Sequence, residues 1–120
     1  MKDTKNFKAS EFACPCCGKN LMSQQFVDLL QTIRDKLNLP MKINSGFRCE
    51  KQNKKDGGAV NSAHLKGLAA DIDCKKTNSG YRFLLVSLAM QAGIKRIGIK
   101  SGCVHLDIDT SLPNNQMWLY

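Results

Sequence analysis

With 120 residues, Lys+Arg 18 against Asp+Glu 10, a net charge of +8 and a pI near 9.3, the chain is long enough for one core and too short for two. No stretch approaches the ~18 consecutive apolar residues of a membrane span, and residues 1–7 lack the apolar segment of a secretory leader, so the chain is expected to be cytoplasmic as made and to act elsewhere only if released. The charge suits an acidic partner, but the basic residues lie in dispersed pairs (Lys54-Lys55, Lys75-Lys76, Lys95-Arg96), which fits anionic cell wall as well as nucleic acid.

Residues 1–10 are polar and lysine-rich and read as a loose arm. Glu11-Phe12-Ala13 leads into Cys14-Pro-Cys16-Cys17-Gly18, a C-x-x-C pair closed by glycine. Six cysteines without a secretion signal argue against a disulfide framework. The cysteines read first as a reduced, buried or surface thiol cluster; the alternative is a second zinc, since the pair resembles a zinc-knuckle turn for which Cys49 is the only third ligand suggested by position. From Ser23 the pattern turns helical: Phe26, Leu29, Leu30, Ile33 and Leu37 share one face, Ser23 is the N-cap, and Asn38 and Pro40 end the helix. Residues 41–44 form a short strand running into Ser45-Gly46-Phe47-Arg48.

Residues 49–67 carry the turn residues Asn53, Gly57, Gly58 and Asn61 and read as one long loop, the kind that forms a wall of a binding cleft. A second helix follows, with Asn78 or Ser79 as cap, Tyr81, Leu84, Leu85, Leu88 and Ala92 as its apolar face, and Gly93 as its end. Ile94, Ile97 and Ile99 mark another strand, and Ser101-Gly102 a tight turn.

Two stretches, residues 62–73 and 104–109, hold both histidines, and each ends in an alternating run. Leu68, Ala70, Ile72 and Cys74 alternate with Ala69, Asp71 and Asp73; Val104, Leu106 and Ile108 alternate with His105, Asp107 and Asp109. Cys74 and Cys103 end these strands as small apolar side chains. If the strands are neighbours, Asp71 and His105 share a polar face, and the preceding loop delivers His64 through Gly67. A His, Asp, His set is a ligand mix that suits Zn²⁺ with a fourth position left for water. The fold expected is α+β: an antiparallel or mixed sheet with two helices on one face, in a single domain.

Ser62, His64, Gly67, Ala69 and Asp71 stand as S-x-H-x-x-G-x-A-x-D, which resembles the signature of the zinc D-Ala-D-Ala carboxypeptidase family, whose fold also occurs in hedgehog-like domains. Ser45-Gly-Phe-Arg48 resembles that family's S-G-[YF]-R segment, and His105 takes the place of its last ligand. From Glu11 to Tyr120 the order of segments looks like its short, phage-associated branch. The resemblance implies a Zn²⁺ peptidase with His64, Asp71 and His105 as metal ligands, and Arg48 and Ser62 on the substrate side, Arg48 as the cation facing the scissile carbonyl or a substrate carboxylate.

Many relatives carry Asp or Glu three residues before the last histidine, where this chain has Gly102. Asp107 is the replacement to expect, either as general base or as the partner that orients His105, with Asp73 and Asp109 in reserve. The expected substrate is a peptidoglycan stem peptide, cut as by a D-Ala-D-Ala carboxypeptidase or an L-Ala-D-Glu endolysin, by a monomer that binds no nucleic acid. The rival reading is a zinc-containing binding domain without catalysis, hedgehog-like or nucleic-acid-binding.

Overall fold

A computed structural model describes residues 1–120. Its first helix, α1 (Gln24–Leu37), forms as the spacing predicts: Ser23 accepts a hydrogen bond from the Phe26 N–H, and Asn38 closes the helix in the left-handed region at φ 52°. Phe26, Val27, Leu30, Ile33 and Leu37 are buried. After β1 (Ile43–Ser45), the expected long loop instead contains a short helix, α2 (Glu50–Lys55), and a 3₁₀ turn at Ala63–Lys66. The helix forms because the Cys49 thiol caps the Gln52 N–H, while Glu50 at its start and Lys54 and Lys55 at its end complement the backbone dipole.

β2 (Ala69–Asp73), α3 (Ser79–Gln91), β3 (Arg96–Ile99), β4 (Cys103–Asp107) and β5 (Gln116–Leu119) complete the chain. The sheet order is β1-β2-β4-β3-β5, antiparallel except for the β3–β5 pair, so the sheet is mixed. Register sets Asp71 opposite His105 and Ile72 opposite Val104. One face (Ala70, Ile72, Ile97, Val104, Leu106) meets α1 and α3 in the core. Its reverse carries Asp71, His105 and Asp107, each at most 5 % exposed. Both faces of β4 are therefore covered, and the acidic alternation is not a solvated surface.

Three expectations need correction. The arm of residues 1–10 is anchored: Phe7 is buried edge-to-face on Phe12, and the Thr4 hydroxyl and Asn6 N–H both donate to Gln31 Oε1 at 2.8 Å. On α3 the core residues are Leu85 and Ala89, while Leu84 is exposed, because apolar residues occur all round this helix and its periodicity does not fix a face. The C-terminal residues were not expected to pair, yet β5 closes the sheet edge beside β3. No helix is long and apolar enough to cross a membrane.

Candidate metal centre

Each residue of the S-x-H-x-x-G-x-A-x-D segment has a local task. The Ser62 hydroxyl accepts from the His64 N–H at 3.2 Å and so starts the 3₁₀ turn that carries the histidine. Gly67 ends that turn at φ +68°, and a Cβ there would stand 2.0 Å from the Leu21 carbonyl oxygen, so no other residue fits. Ala69 is fully buried opposite Asp107, leaving no room for a larger side chain. Two residues on, the pleat returns Asp71 to the same face.

The side chains converge there. His64 Nδ1 lies 2.7 Å from the Gly46 carbonyl oxygen. A ring nitrogen facing a carbonyl can only donate, so the Nε2 lone pair is turned toward Asp71. From Asp71 Oδ1 it is 3.3 Å to His64 Nε2 and 3.0 Å to His105 Nδ1. Ligands spaced tetrahedrally around zinc at its usual ~2.0–2.1 Å bonds stand about 3.3 Å apart, so the residues present fit that ion. The other nitrogen of His105 donates to Asp107 Oδ2 at 2.7 Å, the second partner that metal-ligating histidines usually have.

Burial would raise the Asp71 carboxyl, but in the metal-free protein the His105 and His64 rings packed against it outweigh that and hold the group well below the usual carboxylate range. For His105, burial works against the charged form, yet the Asp107 and Asp71 carboxylates on either side raise it above its ordinary value. Arg48 is the cation behind Asp71: its Nη2 donates to Asp71 Oδ2 at 3.0 Å, its Nε to Ser45 Oγ at 2.9 Å, and its Nη1 to Asn53 Oδ1 at 3.3 Å. Asp56 from the end of α2 lies 3.3 Å from the Nε. In a buried pair such as Arg48 and Asp71, removing one partner typically costs about 3–5 kcal/mol.

Both oxygens of Asp107 are engaged. Oδ2 faces His105, while Oδ1 accepts from Arg96 Nε at 2.8 Å and from the Asp109 N–H at 3.1 Å. Neither reserve carboxylate reaches the cleft. Asp73 accepts from Asn44, and Asp109 pairs with Lys66 at 2.8 Å and binds Ser111.

A cleft of about 530 Å³ opens over His64 and His105, with Arg48, Asp56, Ser62 and Asp107 also in its lining. Residues 57–59 and 61 form one wall. Another part of the lining, which sequence reasoning missed, comes from β3, β5 and the residue that follows each: Arg96, Lys100, Trp118 and Tyr120. The Trp118 ring lies 5.5 Å from that of His105, Arg96 stacks 4.9 Å over Trp118, and Lys100 sits 4.2 Å over Tyr120. Gly98, opposite His105 on β3, makes room for this wall, since a Cβ there would come within 2.8 Å of both aromatic side chains. The one signal in the sequence was the aromatic pair Trp118 and Tyr120 on alternate residues of an otherwise unassigned segment.

A second cluster lies away from the cleft. One sulfur each from Cys14, Cys17 and Cys49 falls within 4.8 Å of the others. Burial would raise the Cys14 thiol, but the backbone N–H groups of Cys49, Cys17 and Cys16 outweigh it and bring the group down to about 7. Buried Cys103, at the end of β4, is instead pushed up to about 11.

Compared with known families, residues 5–107 match the family model described as Peptidase M15. No curated protein gives a significant match.

Proposed function

The chain belongs to the peptidase M15 family, a family of zinc-dependent peptidases, and from that premise we propose that it hydrolyses amide bonds in the stem peptides of peptidoglycan, with His64, Asp71 and His105 holding the ion. The observation that carries this reading is the convergence of three ligand atoms, 3.0 and 3.3 Å from Asp71 Oδ1, at the floor of a cleft large enough for a peptide. A zinc ion bound there supplies Lewis acidity, which activates water near neutral pH and polarises the scissile carbonyl.

The protein's own groups do the rest. His64 is fixed in one tautomer by Gly46, and His105 by Asp107, so both rings are oriented before any ligand arrives. Arg48 keeps one N–H on each Nη free of its partners Asn53 and Asp71. Those donors suit the charge that develops on a carbonyl oxygen, or a substrate carboxylate. Ser62 acts on the position of His64 through its backbone hydrogen bond and presents its surface to the substrate beside it.

Asp107, with its carboxylate shared between Arg96 and His105, acts by orienting His105, the second of its two expected roles. The aromatic and cationic wall of Arg96, Lys100, Trp118 and Tyr120 receives the anionic peptide, in keeping with the net charge of +8. Specificity within the family, D-Ala-D-Ala carboxypeptidase or L-Ala-D-Glu endopeptidase as in a phage lysis enzyme, belongs to this same proposal.

The test is digestion of purified peptidoglycan with mass analysis of the released fragments, with and without chelator. Loss of terminal D-alanine or release of stem peptides, abolished by chelator and restored by zinc, is expected. Intact peptidoglycan in the zinc-loaded protein's presence refutes the substrate assignment and favours the non-catalytic binding domain.

A further inference from the structure

The cysteine corner joins three parts of the chain. Cys14 and Cys17 come from one tight turn, in which the Gly18 N–H donates to the Cys14 carbonyl at 2.8 Å and Gly18 takes φ +74°. Cys49 comes from the start of α2, directly after Arg48. Its sulfur lies 3.6 Å from that of Cys14. Two thiolates on a tetrahedral zinc with bonds of ~2.3 Å stand about 3.8 Å apart, so this spacing already suits a shared ion. A cystine would use two of the three sulfurs and give the third no role.

The surrounding backbone points the same way. The Cys49 N–H donates to Cys14 Sγ at 3.4 Å, and the Gln52 N–H to Cys49 Sγ at 3.5 Å. Such N–H to sulfur bonds stabilise thiolates, the form that binds metal. Cys16 adds a fourth, exposed thiol to the same turn.

We infer that Cys14, Cys17 and Cys49 hold a second, structural zinc ion, with Cys16 closing the fourth position. Soft sulfur ligands in a tetrahedral set select zinc and leave no site open for substrate. The ion ties the N-terminal turn to Cys49, the N-cap of α2, and so adds to the stability of that corner. It goes beyond the peptidase reading and does not depend on it.

The reduced protein, loaded with zinc and dialysed against metal-free buffer, should retain two zinc ions per chain. A His64→Ala, His105→Ala double variant should retain one, and a Cys17→Ser, Cys49→Ser double variant should lose that one while keeping the other. Cobalt(II) substituted into the wild type should show an intense near-ultraviolet thiolate-to-metal band, which the histidine variant keeps. This measurement stands even if the cysteine variant does not fold. A single zinc in the wild type, or a fully cobalt-loaded wild type without the thiolate band, overturns the inference, whatever the peptidase assay shows.

Discussion

The two clusters of candidate ligands meet at adjacent residues, Arg48 and Cys49, yet differ in their donor atoms, their neighbours and their access to the cleft. The histidine centre brings nitrogen and oxygen donor atoms together at a cleft and is backed by Gly46, Asp107 and Arg48. The cysteine corner offers sulfur alone, its stabilising donors are backbone N–H groups, and none of its residues lines that cleft. A side chain's neighbours, more than its ability to bind metal, decide what a bound ion can do.

The strongest way to break the contrast is removal of a nitrogen ligand. His64→Ala or His105→Ala should reduce peptidase turnover to background and remove one metal equivalent, measured by metal analysis beside the assay. Retention of full zinc content in both variants would refute the ligand set.

Asp107→Asn sharpens the assignment next. If Asp107 orients His105, metal affinity should fall by about 10- to 100-fold, and activity should return when zinc is raised. Loss of a general base would instead cost about 10² to 10⁴ in rate, at unchanged metal content and beyond rescue by zinc. Turnover measured against free zinc separates the two roles.

The raised His105 supplies a pH test. In the metal-free protein the ring holds its proton above the ordinary 6.5, so the ion must displace a proton to bind. Below the folded-state value, affinity at this centre should drop by about tenfold per pH unit, with uptake of zinc releasing a proton measurable in weakly buffered solution. The metal-free fold should show the opposite trend: the stability that His105 contributes is fully present below 6.5 and is lost as pH rises through the raised value. Zinc affinity at this centre that is flat across that range would contradict the contacts with Asp71 and Asp107.

The smallest effect on activity is expected at the other cluster. A Cys14→Ser, Cys17→Ser double variant should melt at a lower temperature but keep its turnover per folded molecule. Abolished turnover in a folded variant would give the corner a catalytic role and erase the contrast.

How much was legible beforehand depended on the range of the interaction. α1 was readable because its cap, its apolar face and its left-handed end at Asn38 are all local. The Asp71 and His105 strands were readable from their alternation, and the task of Gly67 from its place between His64 and Asp71. On α3 the face was misread because its apolar residues surround the helix. The loop over residues 49–67 hid a helix whose cap is a cysteine, an unusual capping residue.

The sequence by itself determined the candidate ligand types, their order along the chain and the period-2 spacing that turns His105 and Asp107 to one face of their strand, because these depend only on backbone geometry and residue chemistry. Tertiary structure alone decided which groups those side chains meet. It paired Asp107 with Arg96 and His105, set Arg48 behind Asp71, and brought Cys49 to Cys14. It also laid β5 against β3 so that Trp118 covers His105. Such contacts form between residues far apart in the chain, where packing and the burial of charge decide the partner and local pattern carries no record of it.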